Sequence, residues 1–166
     1  MKFAPMLVAL VMASSVLAGC GATPGATTGI KSAQTTDAVE GQDFWSVSRA
    51  KKIATDALGQ YDRLRDRWLR AYTDAEKDRI EDDMLVILSR GIADVRDSVS
   101  AEQGGTGYNA RQVFDLADRA CQRYEDLRDQ WAHTNNLDRQ REISNQMQTL
   151  IVDALNQVKR VSRFGN

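Results

Sequence analysis

Proline, cysteine and histidine are scarce in this chain: two, two and one among 166 residues. Both prolines, Pro5 and Pro24, precede residue 25, so no proline interrupts a helix in the long C-terminal part by removing a backbone donor. The single histidine, His133, leaves no Glu-x-x-His pair for a di-iron bundle and little basis for a Ser-His-acid triad. It also falls at an expected helix end, while Met84 and Met147 lie on packed stripes, so a haem held by these side chains is not expected. Gly104-Gly105-Thr106-Gly107 lacks the Lys-Ser/Thr ending of a phosphate loop and reads as a hinge. Long alternation of apolar and polar residues is missing, which argues against strands. A charge surplus is missing too, with 22 basic residues against 23 acidic. The two signs interleave, as on solvated helix faces, so no nucleic-acid partner is expected. These absences point away from an enzyme and from a bound cofactor.

Long apolar runs are also missing, with one exception at the start. After Lys2, residues Phe3 to Ala18 are apolar or small apart from Pro5 and Ser14-Ser15. This run is shorter than the roughly 20 residues a membrane-spanning helix needs and ends in small residues, as an export signal does. Leu17-Ala18-Gly19-Cys20 follows directly and resembles the lipobox of bacterial lipoproteins. The resemblance implies a diacylglyceryl group on the Cys20 thiol, removal of residues 1–19 as a signal peptide, and often a further acyl chain, such as palmitate, on the new amino terminus. The membrane would then be a partner through lipidated Cys20. Gly21 stands where that family's inner-membrane retention signal usually has Asp, which implies the outer membrane, facing the periplasm, in a Gram-negative cell. Each buried acyl methylene contributes about 0.8 kcal/mol, and about two chains suffice for firm anchoring.

Loss of Lys2 leaves 21 basic residues against 23 acidic in the mature chain. With Cys20 acylated, Cys121 is the one remaining thiol and cannot form an intramolecular disulfide. Its neighbours Phe114, Leu116, Ala117 and Ala120 suggest a small buried hydrophobe.

Residues 20–42 are rich in Gly, Ala, Ser and Thr and read as the lipidated cysteine and a flexible linker, spanning about 26 Å as a coil. From residue 43 onward apolar residues recur at helical spacing. Ile53, Ala57, Tyr61, Leu64 and Trp68 form one stripe; Ile80, Met84, Ile87, Gly91 and Val95 form a second. A third runs from Val113 through Ala117, Ala120, Tyr124 and Leu127 to Trp131, and a fourth from Ile143 to Val161. Four amphipathic helices are predicted. Thr73-Asp74 and His133 to Asn136 carry the short polar side chains that cap helix starts.

The halves are related to each other. A shift of 63 lays residues 53–99 over 116–162 without a gap, with ten of 47 pairs identical. The expected fold is all-α: an antiparallel four-helix bundle built from two duplicated hairpins, at about 43–99 and 108–163 within a 43–166 domain. A dimer pairing long hairpins is the competing arrangement.

The repeat's most specific feature is Tyr-x-x-Leu-Arg-Asp-x-Trp. It places Tyr61, Arg65 and Trp68 in one half and Tyr124, Arg128 and Trp131 in the other. Tyr and Trp share the apolar stripe and the arginines flank it. Ordinary core packing, with Arg65 and Arg128 covering the rings, is the favoured reading. An interaction groove or a ligand pocket between the hairpins is the functional alternative. The expected function is a lipid-anchored, non-catalytic helical module that binds or positions an envelope protein, and a small-ligand or cofactor-binding bundle is the other reading.

Overall fold

A computed structural model of the chain describes residues 34–100 and 107–162. The export segment, Cys20 and most of the glycine loop lie outside the described residues. Chain contacts divide the molecule between Ile30 and Lys31, and every described residue belongs to the second unit. That unit is an all-α four-helix bundle, with helices α1 (Gln34–Arg70), α2 (Asp74–Ser98), α3 (Tyr108–His133) and α4 (Leu137–Arg160).

The amphipathic stripes explain the packing. Successive helices run antiparallel because their connections are short, and each packs on its neighbours around the bundle, with α4 closing against α1. The shift of 63 seen in sequence also governs the structure. Arg70 and His133, the last residues of α1 and α3, are 63 apart, as are Asp74 and Leu137, the first residues of α2 and α4. The caps correspond as well: the Thr73 hydroxyl accepts from the Glu76 amide at 3.2 Å, and Asn136 Oδ1 accepts from the Arg139 amide at 3.0 Å. Each satisfies one of the amide donors that a helix start leaves without an intrahelical acceptor.

Residues at equivalent positions fill the core in both halves. The main cluster includes Val47, Ala50, Ala54, Leu88, Ile92 and Val95 from the first hairpin. Their counterparts Ala110, Val113, Ala117, Ile151, Leu155 and Val158 come from the second. Toward the two hairpin turns this core forks. Leu64, Ile80 and Met84 form a separate cluster in the first hairpin, and Leu127, Ile143 and Met147 form its equivalent in the second. Tyr61 and Tyr124 stand at the fork, each packed against the main core and against its own hairpin's tip cluster.

One boundary differs from expectation. α1 begins at Gln34, inside the 20–42 segment that composition suggests is a flexible linker. Low hydrophobicity argues against a core built by those residues, but it does not stop a helix nucleated further along from growing backward. Adding a residue to an existing helix costs far less than starting one.

Candidate interaction surfaces

The two Tyr-x-x-Leu-Arg-Asp-x-Trp segments lie at the hairpin tips, on the last turns of α1 and α3. In the first, Trp68 is half-buried against Leu64, Ile80 and Met84. Its indole Nε1 donates to Glu81 Oε1 at 2.9 Å, and the Lys77 ammonium sits 5.2 Å from the ring centroid. A carboxylate below the ring edge and a cation over its face hold the indole on α2.

Trp131 occupies the equivalent position and does not repeat this arrangement. It is 41% exposed, which corrects the expectation that its stripe is core throughout. The reason lies on α4: the counterparts of Glu81 and Lys77 are Ser144 and Gln140. Serine at that position is too short to stand in for the glutamate, and the Gln140 amide is engaged elsewhere, donating to the Thr134 carbonyl at 2.9 Å. Arg65 and Arg128 are both exposed. The structure therefore places Tyr61 and Tyr124 at the roots of the two tips, packs Trp68 into the first tip, and leaves Trp131 partly in solvent. Three surface depressions among the described residues are lined by other side chains.

More apolar surface is exposed at the same end. Leu69 and Tyr72 next to the first turn, and Leu137 next to the second, are exposed, with Tyr72 fully so. Together with Trp131 they give an apolar fringe of separate exposed side chains at the end of the bundle farthest from the start of α1; Trp45, Val86 and Tyr108 are exposed elsewhere along it. Sequence reading missed Leu69, Tyr72 and Leu137 because they stand off the stripes, and single off-stripe apolar residues carry no periodic signal.

The remaining chemical groups are quiet. His133 is exposed at the end of α3, with Nδ1 2.7 Å from the Asp129 carbonyl oxygen. Among the described residues no group of three or more His, Cys, Asp or Glu side chains could hold a metal ion. Cys121 is half-buried against the main core. Burial pushes its thiol above the ordinary range, and Asp118, Glu125 and Asp97 add to this against the opposing pull of Arg96. The thiol therefore stays protonated near neutral pH, where it is a poor nucleophile.

The fold and surfaces define a helical bundle with an exposed apolar tip. Comparison with protein-family models, with curated proteins and with solved structures gives no match. Among the described residues no helix is long and apolar enough to cross a membrane.

Proposed function

We propose that this chain is a lipid-anchored protein of the bacterial envelope, acting as a non-catalytic helical module that binds another envelope protein. Acylated Cys20 holds it on the membrane, most simply the outer membrane with the bundle facing the periplasm. The observation that carries the interaction half of this reading is the apolar fringe at the hairpin tips. While Trp45, Val86 and Tyr108 are exposed elsewhere along the bundle, Tyr72, Leu69, Trp131 and Leu137 share its hairpin-turn end, and large aromatic and aliphatic side chains are the usual anchors of protein interfaces. Their distance from the start of α1 fits an arrangement in which one end is tethered and the other reaches a partner. The anchoring half rests on Leu17-Ala18-Gly19-Cys20 directly after an apolar export segment.

Cells producing the full chain or its Cys20→Ala variant, each with and without Tyr72→Ser and Trp131→Ser, test both halves. The expected result is a membrane-associated parent whose amino-terminal peptide carries acyl chains and which crosslinks to a defined envelope protein. The cysteine variant loses acylation and membrane association, and the tip variant keeps the anchor but loses the partner. A parent chain found without acyl groups overturns the anchor. Unchanged partner capture by the tip variant overturns the assignment of the surface.

A further inference from the structure

The duplication carries a second surface, independent of the anchor and of the tip. An outward groove runs along the α1–α2 hairpin, with Ala57 and Gly91 on its floor and Ile53 and Ile87 on its walls. Adding 63 to each gives Ala120, Ala154, Leu116 and Leu150, and these residues line the corresponding groove outside α3–α4. The small floor residues let each helix pair approach closely, and the wall residues are only half-buried. Because the hairpins turn their inner stripes toward each other in the core, the two grooves face away in opposite directions.

The grooves are alike in shape class, and the two aligned lining positions that are charged in both invert in sign: Asp56 against Arg119 and Arg90 against Asp153. Outside the shared aromatic motif, eight aligned positions between residues 45 and 99 are charged in both halves, and seven of them differ in sign. Lys52 corresponds to Asp115, Asp56 to Arg119, Arg79 to Glu142 and Arg90 to Asp153, and all eight of these side chains are exposed. Their intramolecular pairs, Lys52 with Asp56 at 2.6 Å, Arg90 with Asp94 at 4.0 Å and Glu142 with Arg139 at 2.6 Å, lie in solvent, where they are screened and easily exchanged.

We propose that these faces meet between copies: the outer face of the α1–α2 hairpin docks on the outer face of the α3–α4 hairpin of a second copy. The charges select the orientation. Laying α1 on α3 and α2 on α4 brings Asp56 opposite Arg119 and Arg90 opposite Asp153. Turning one copy so that α1 lies on α4 opposes Asp56 to Asp153 and Arg90 to Arg119. Pairing two α1–α2 faces in the favoured orientation sets Asp56 against Asp56. The contact is therefore heterologous, and since each copy offers one face of each kind on opposite sides, association continues past the dimer into rows or closed rings.

The test uses the full chain in bacterial cells with a photoreactive benzoylphenylalanine at Gln60, on the wall of the first groove. Irradiation is expected to give a ladder of dimer, trimer and larger species composed of this chain alone. Asp56→Arg and Arg119→Asp each lower the crosslinked fraction about tenfold, since each sets like charges together. Asp56→Arg combined with Arg119→Asp in one chain restores the ladder. Helix content by circular dichroism confirms that these exposed changes leave the fold intact. Absence of self-crosslinks, a dimer band without higher species, capture only of a different protein, or single variants that crosslink like the parent each overturn the proposal.

Discussion

Gly91 and Ala57 face each other where α1 crosses α2: a Cβ placed on Gly91 falls 2.6 Å from the Cβ of Ala57. Two methyl carbons do not approach that near, so the helices need glycine at this crossing. Helix α4 has Ala154 at the equivalent place, and the second hairpin accommodates it opposite Ala120.

Gly91→Ala therefore forces the first hairpin apart. Overpacking of this kind costs roughly 1–3 kcal/mol, while alanine returns up to about 1 kcal/mol of helix propensity. A net loss of about 1 kcal/mol in urea denaturation is expected. Combining it with Ala57→Gly, which moves the gap to the other helix, recovers most of the packing loss.

The two tryptophans offer an internal control. Trp68→Phe keeps an aromatic ring and removes the donor to Glu81, so a loss of about 1 kcal/mol is expected for a half-buried, charge-assisted bond. Trp131→Phe should change thermal stability by less than about 0.5 kcal/mol, as for surface sites generally. Ser144→Glu supplies the missing acceptor and should quench or shift Trp131 fluorescence.

Asp82 provides a pH signature. Partial desolvation, and then the Asp78 and Asp83 carboxylates, hold its carboxyl above the usual carboxylate range. A raised acid favours the folded state while it remains protonated, and that benefit disappears as pH rises through its folded value. Asp82→Asn should thus be slightly more stable than the parent at pH 7, by less than about 0.5 kcal/mol, with the gap closing as pH falls through the raised folded value and gone below about 4. The second hairpin already carries asparagine there, at Asn145.

Thr73→Ala and Asn136→Ala each remove the side chain that accepts from the first turn of a helix. Each should cost about 1 kcal/mol. Amide exchange should speed up in the first turn of α2 in one variant and of α4 in the other, and not in the reverse pairing.

Much of this architecture is legible in the sequence because its causes are local or periodic. The stripes through Ile80, Met84 and Val95, and through Ile143, Met147 and Val158, fix which faces turn inward, and the polar residues at Thr73 and Asn136 fix where helices restart. The fate of Trp131 was not legible, since it depends on what α4 brings to its edge and not on its own spacing. The start of α1 was hidden because composition reports core-forming power, whereas helix growth needs only an existing end. The grooves escaped for a third reason: their shape and opposite orientation belong to pairs of helices, and no single stripe contains them.

The repeat also sets what the outer faces can do. A lone hairpin with one apolar face requires a twin, and if the twin is a second identical chain, both outer surfaces must carry the same charges, because any change in one appears in the other. Two hairpins held in a single chain escape that constraint. Asp56 and Arg119 occupy equivalent places with opposite sign, so one molecule carries two kinds of outer face.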